Sequence, residues 1–212
     1  AEMVITSPGI PRDAEVHIMA QELGIPILSE IEAAYRIAKC PIIATTGTNG
    51  KTTTTLLIGH ILKVAGRKSY IAGNISADDI KLPLITAALN ASPEDVISAE
   101  ISSFQLEWVD QFRPKVGILT NITPDHMNRY ANFAEYCSTK ENLFRAQLPD
   151  DIAVISAVNQ PAHAIGMRVK SKRHWFDRGN CSSCDSACVE DGEIVIMMDC
   201  RRYCLGRAED LP

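Results

Sequence analysis

Two periodicities alternate along this chain: short apolar runs, and longer stretches in which apolar residues recur every three or four positions. The first kind predicts strands and the second helices. Met3–Thr6 reads as a strand, followed by a Ser7-Pro8-Gly9-Ile10-Pro11 turn, a helix over Asp13–Leu23 stopped by Gly24, a strand over Ile25–Leu28 and a helix over Glu30–Ala38. Pro41–Thr45 is a buried strand. Thr52–Ala65 is a helix closed by Gly66, whose Leu57, Ile58, Ile61, Leu62 and Ala65 are expected to pack on a sheet. Strands are further predicted at Ser69–Ala72, Asp95–Ala99, Val116–Thr120 and Ile152–Ser156, and helices at Leu82–Leu89 and Asn132–Leu148. Strands separated by helices imply an α/β fold: a mainly parallel sheet flanked by helices. After Arg168 the pattern breaks into short strand-like pieces, with Asp191-Gly192 before Glu193–Met197, as a small antiparallel edge would show.

A length of 212 residues suits one full domain and part of another. Residues 1–38 read as the end of a first domain, and residues 39–212 as a second. Both termini look like cuts in a longer protein, since no Met starts the chain and it stops in a polar, Pro-ended stretch. The net charge of −5 gives no sign of a nucleic-acid surface. No apolar run is long enough to span a bilayer and no secretory leader is present, so a cytoplasmic protein without membrane insertion is expected. Of seven cysteines, Cys181, Cys184, Cys188, Cys200 and Cys204 crowd the last quarter. An odd count without a leader argues against a disulfide framework, leaving reduced thiols or a zinc site as the expectations there.

Gly47-Thr48-Asn49-Gly50-Lys51-Thr52 follows a strand and opens a helix. Two residues, not four, separate its glycines, but the physics of a phosphate loop is retained. Glycines permit tight turns that aim successive N–H groups and a helix N-terminus at phosphates, Lys51 adds a positive charge, and Thr52 offers a hydroxyl to Mg²⁺. Glu100 ends the Asp95–Ala99 strand, where sites open in α/β sheets and where an acid can hold Mg²⁺. His126, in the segment leaving Val116–Thr120, can bind a metal or touch a phosphate. Lys140 falls on the apolar face shared by Phe133, Tyr136, Leu143 and Phe144. Such a lysine either snorkels or works: burial raises the neutral fraction of the amine, which can take up CO₂ as a metal-binding carbamate.

Taken in order, Ser7-Pro8-Gly9-Ile10, the loop with Thr53, Gly73-Asn74-Ile75, Glu100-Ile101-Ser102-Ser103-Phe104-Gln105-Leu106, Asn121-Ile122-Thr123-Pro124-Asp125-His126, and Tyr136 with Lys140 resemble the Mur ligase family, and within it the members that add D-glutamate. The resemblance covers roughly residues 2–155. It implies a P-loop-type central domain behind the tail of a Rossmann-like UDP-substrate-binding domain, in an ATP-dependent ligase of peptidoglycan synthesis that acts as a monomer on UDP-N-acetylmuramoyl-L-alanine and D-glutamate through an acyl phosphate. It further implies that Gly47, Thr48, Asn49, Gly50, Lys51, Thr52 and Thr53 hold ATP. Thr52 and Glu100 would bind one Mg²⁺, and His126 with carbamylated Lys140 a second. Asn74, Ser102, Gln105 and Ser7 would face the muramoyl substrate. Lys51, Glu100, His126 and Lys140 form the catalytic set. Another Mur ligase, or a ligase like folylpolyglutamate synthase, is the alternative; for this chain alone, which the resemblance implies lacks the closing C-terminal domain, the alternative is a nucleotide-binding module with little turnover. The chain departs from the family in a longer link over residues 76–82 and in Ser156-Ala157-Val158-Asn159, where no site is assigned.

Overall fold

Pairing runs through two sheets in the computed structural model, which describes residues 1–75, 82–176, 181 and 184–210. The first is small: β1 (Val4–Thr6) lies parallel to β2 (Ile27–Ser29), joined through α1 (Glu15–Glu22), and α2 (Glu30–Ile37) follows. The second has nine strands. In chain order the elements are β3 (Ile42–Thr46), α3 (Lys51–Val64), β4 (Ser69–Gly73), α4 (Leu84–Asn90), β5 (Val96–Glu100), β6 (Val116–Leu119), α5 (Phe133–Glu141), β7 (Ile152–Ser156), α6 (Gln160–Gly166), β8 (Lys172–Phe176), β9 (Ser186–Glu190), β10 (Glu193–Met198) and β11 (Arg201–Arg207). The spatial order is β11-β10-β9-β8-β7-β6-β3-β5-β4. Every pair from β4 to β9 is parallel; β9, β10 and β11 are antiparallel, the edge that the sequence pattern suggested. The longer link of residues 76–82 lies, but for Leu82, outside the described residues. Among the described residues no helix is long and apolar enough to cross a membrane.

The apolar strand positions decide where the core sits. Ile42, Ala44, Ile97, Ala99, Leu119, Ala153 and Ile155 are all buried, in one cluster with Ile31 and Ala34 of α2, Leu84 and Ala87 of α4, and Leu143 and Phe144. Strands buried in this way read as near-continuous apolar runs. The alternate position Ser98 turns to the opposite face and donates to the Thr55 carbonyl of α3 at 2.9 Å. Helix α3 therefore packs through Thr55 and Gly59, both buried, and not through the stripe expected from periodicity. Leu57 and Ile61 are each 55% exposed and Ala65 is exposed, with only Ile58 and Leu62 half-buried. Small residues four apart let the helix backbone approach the sheet, and this rotates the larger side chains outward.

Three further expectations are corrected. The helix predicted over Asn132–Leu148 ends at Glu141 and passes into a 3-10 turn over Asn142–Phe144, where the Asn142 side chain donates to the Leu106 carbonyl and leaves the helical repeat. Its buried face nevertheless holds Tyr136, Lys140, Leu143 and Phe144 as read from the spacing. Helix α6 was not expected; Asn159 caps it and Pro161 stands in its first turn. Finally, the cysteines pair: Cys181 with Cys188 and Cys184 with Cys200. The antiparallel β9–β10 hairpin sets Cys200 beside Cys184, whose carbonyl accepts the Cys200 N–H; four of the five crowded thiols are paired in place of the reduced thiols or zinc site expected from spacing, and Cys204 stays free. Among the described residues no three His, Cys, Asp or Glu side chains gather as a metal site.

Candidate functional site

Parallel strands bring their C-terminal ends to one rim, and three of those ends build the site. Strand β3 runs into the loop Gly47–Gly50 and α3. Gly47 has φ +149°, and a Cβ there would run into the Thr120 hydroxyl; Gly50 has φ +82°. Only glycine fits the first position on both counts. Neighbouring β6 releases Thr120–Thr123, which zips onto the loop. Thr48 N donates to the Asn121 carbonyl at 2.9 Å; Asn49 N donates to Asn121 Oδ1 and Asn121 Nδ2 to the Asn49 carbonyl, both at 3.0 Å; Thr123 N donates to Thr48 Oγ1 at 3.0 Å. The loop's shape is thus imposed by a second segment. Lys51, at the first position of α3, turns its Nζ back to the Thr48 carbonyl at 3.0 Å.

On the other side, β5 ends in Glu100, which is 3% exposed. Its Oε2 accepts from Thr52 Oγ1 at 2.6 Å and its Oε1 from Asn74 Nδ2 at 3.4 Å. From below, α5 carries Lys140, 2% exposed, whose Nζ donates to the Gly47 carbonyl at 2.9 Å and lies 4.7 Å from the centre of the Tyr136 ring. Burial, and then the positive charge of Lys51, bring this amine down to about 7, against the smaller opposing pull of Asp125. The lysine does not snorkel. Tyr136 in turn approaches Thr48 Oγ1 at 3.2 Å.

His126 joins more loosely. Its backbone is left-handed (φ +54°), its side chain is 46% exposed, and it makes no hydrogen bond to Glu100 or Lys140; its ring packs on Phe104 at 4.8 Å and lies 6.4 Å from that of Tyr136. Thr53 is exposed on α3. Ser7, Asn74 and Gln105 line one cavity of about 440 Å³, together with Glu30, between the small sheet and the β4 end of the large one. Ser102 is not in that lining. It donates through its N (2.9 Å) and Oγ (3.1 Å) to Gln105 Oε1 and so orients the Gln105 amide.

Two contributors were missed from the sequence. Asn159 clasps the Ile122 peptide from both sides, accepting its N–H at 3.0 Å and donating to its carbonyl at 3.1 Å, while accepting the Ala162 N–H. It thereby holds the segment that shapes the Gly47–Gly50 loop. An Asn followed by Gln-Pro is a helix-start signal that would have found both this residue and α6. Glu30 had no such signal: its carboxylate, pushed up by burial and partly offset by the Ile85 N–H donated to it at 2.7 Å, is defined only by the packing of α2 on α4.

Comparison with known proteins points the same way. A family model described as the Mur ligase middle domain matches residues 45–178. Among curated relatives, the UDP-N-acetylmuramoylalanine–D-glutamate ligase of Caldanaerobacter subterraneus subsp. tengcongensis is 47% identical over 195 residues, 92% of this chain and 42% of that protein. The enzyme of the same name from Pelotomaculum thermopropionicum is 41% identical over 210 residues, 99% of this chain and 45% of that protein. The chain thus spans less than half the length of these relatives. Among solved structures, a UDP-N-acetylmuramate:L-alanyl-gamma-D-glutamyl-meso-diaminopimelate ligase from Neisseria meningitides superposes with a TM-score of 0.62 at 16% identity, covering 95% of this chain and 66% of that one. A MurF ligase from Thermotoga maritima in complex with ADP superposes with a TM-score of 0.58 at 14% identity, covering 97% and 58%. At those identities the likeness concerns the fold.

Proposed function

The chain belongs to the Mur ligase family, and from that premise we propose that residues 39–212 are ATP-binding machinery and residues 1–38 the end of a UDP-substrate-binding domain, in an enzyme that joins D-glutamate to UDP-N-acetylmuramoyl-L-alanine. In the proposed reaction the γ-phosphoryl group of ATP passes to the terminal carboxylate of the muramoyl-alanine. The D-glutamate amine then attacks the acyl phosphate, an amide forms, and ADP and phosphate leave. The observation that carries this reading is the meeting, at one sheet rim, of the Gly47–Thr52 loop, the buried Glu100 carboxylate and the buried Lys140 amine.

Each residue has a task in this reading. With the Thr48 and Asn49 N–H groups held by Asn121, it is the N–H groups at the start of α3 that face the triphosphate, and Lys51 moves from the Thr48 carbonyl onto it. The oxygen donors of Thr52 and Glu100, 2.6 Å apart, fit a hard cation, so they are the residues that would hold Mg²⁺. When bound, that ion neutralises phosphate charge. An amine near 7 is substantially neutral at physiological pH, and Lys140 can add CO₂, releasing a proton, to become a carbamate with His126 as neighbour across Tyr136. Asn74 and Gln105, with Ser7 across the cavity, orient the muramoyl end. Much of the rate in such a reaction comes from holding carboxylate and phosphate in line.

Two measurements test the proposal. Calorimetric titration of this chain with Mg·ATP should show binding that Lys51→Ala weakens by at least about tenfold; equal affinity in the two proteins would refute the assignment of the loop. In a full-length protein carrying this chain, phosphate release should require both UDP-N-acetylmuramoyl-L-alanine and D-glutamate. Release supported as well by meso-diaminopimelate would refute the substrate assignment.

A further inference from the structure

We propose that Arg129 is a positioning residue that, through Phe104, sets the orientation of the His126 imidazole and links that setting to the Ser7–Pro11 turn. The inference rests on the reading of His126 as part of the site. Arg129 is the point at which three structures meet. Its guanidinium forks onto Glu107, Nε to Oε1 at 3.0 Å and Nη2 to Oε2 at 2.7 Å. The same Nη2 donates to the Ile10 carbonyl at 3.0 Å, in the N-terminal segment. Its central carbon lies 4.6 Å from the centre of the Phe104 ring.

Glu107 anchors this arrangement. Its side chain is wholly buried and borders two arginines, Arg129 and, at 3.6 Å, Arg12 of the N-terminal segment. A buried carboxylate must keep such partners, so the guanidinium plane is strongly fixed. Phe104 carries the constraint onward, since its ring meets both the guanidinium and, at 4.8 Å, the His126 imidazole. The backbone adds a second tie: Arg129 N donates to the His126 carbonyl at 2.9 Å, closing the turn that keeps His126 at φ +54°, a conformation a side-chain-bearing residue rarely adopts. The imidazole has Asp125 at 3.5 Å as a polar neighbour and packs its face on Phe104, and that packing directs it. Lysine could keep the charge but neither the fork nor the stacking plane. No pattern in the sequence singles out Arg129, because its partners come from positions 10, 104 and 107.

The test uses Arg129→Lys and Phe104→Leu in this chain, the second leaving the Arg129–Glu107 pair in place. In nucleotide-free protein, held well below the thermal midpoint of each variant, the His126 ring resonances, identified by their loss in His126→Gln, are expected to shift or broaden in both variants. The gain in ATP affinity on adding Mg²⁺ should fall by about tenfold, as for groups that orient metal ligands, with metal-free nucleotide binding unchanged. A wild-type His126 signal in both variants overturns the proposal, as does an equal loss of metal-free nucleotide binding, which would mark a merely structural role. Should wild-type protein show no Mg²⁺-dependent ATP binding, the functional reading falls, and the ring resonances still decide the role of Arg129.

Discussion

Lys140 sets two demands of one residue against each other. An ammonium at 2% exposure loses nearly all of its water, and the hydrogen bond it makes to the Gly47 carbonyl replaces little of that hydration. The amine therefore falls from its ordinary 10.5 to about 7. For a base with a depressed value the sign follows directly. Between those two values the unfolded chain keeps a proton that the folded chain has released, so folding stability rises with pH across that window and the full penalty applies below it. Replacing Lys140 by Met, which fills similar space without charge, should stabilise the fold by ~2–4 kcal/mol near neutral pH, after about 1 kcal/mol is subtracted for the lost bond. The gain should shrink steadily toward about pH 10. Thermal melts of both proteins across that range measure it. A Lys140→Met protein no more stable than wild type at pH 7 would mean that the amine is not paying a burial penalty, and the carbamate reading would lose its physical basis.

At the scale of elements, the phosphate loop is better understood as half of a pair. Its amides and carbonyls are set by Thr120–Thr123, and that segment is set in turn by the two-sided grip of Asn159 on Ile122. Asn159→Ala removes the cap of α6, worth about 1 kcal/mol, and strands a buried peptide worth about 1–3 kcal/mol more. A loss of ~2–4 kcal/mol in urea unfolding is expected, with weaker nucleotide binding although residue 159 touches no nucleotide in the proposed complex. Wild-type stability would show that the grip is incidental. This layering explains what was legible beforehand. The strand–loop–helix at Ile42–Val64 announces itself because glycines, a lysine and apolar periodicity all fall within a few consecutive residues, and Lys140 was visible because its neighbours repeat at helical spacing. The outward turn of Leu57 and Ile61 was not, since periodicity marks an apolar stripe without saying whether Gly59 will bring another face to the sheet. Nor was the early end of α5, which depends on Asn142 finding Leu106, thirty-six positions away. The Cys184–Cys200 pair was hidden for the same reason, since it needs the β9–β10 hairpin to bring two residues sixteen positions apart together.

At the scale of the whole molecule, everything proposed for the cavity that Ser7 shares with Asn74 and Gln105 requires residues 1–38 to hold a fixed attitude against the large sheet. One carboxylate does much of this. Glu32, with no exposed surface, accepts the N–H groups of Asp110, Gln111 and Phe112 at 2.8–3.1 Å and pairs with Arg36 at 2.8 Å. Burial pushes this carboxyl up, but the amide donors and Arg36 together outweigh it and hold it below its ordinary 4.5. The stability it contributes is therefore present above that value and lost as pH falls through the lowered one. Glu32→Gln substitutes one acceptor oxygen and an N–H₂ group for a carboxylate facing three donors, which should cost about 3 kcal/mol at neutral pH. The difference from wild type should narrow in acid, as the pH falls below the ordinary 4.5 and through the lowered value. Hydrogen exchange locates the effect. The amides of Asp110, Gln111 and Phe112 should exchange faster in the variant, while those of β3 and β5, in the middle of the parallel sheet, keep their protection. If all amides accelerated together, Glu32 would be holding up the large sheet itself; if none did, the attitude of residues 1–38 would have to come from Arg12, Arg129 and the packing of α2 on α4 instead.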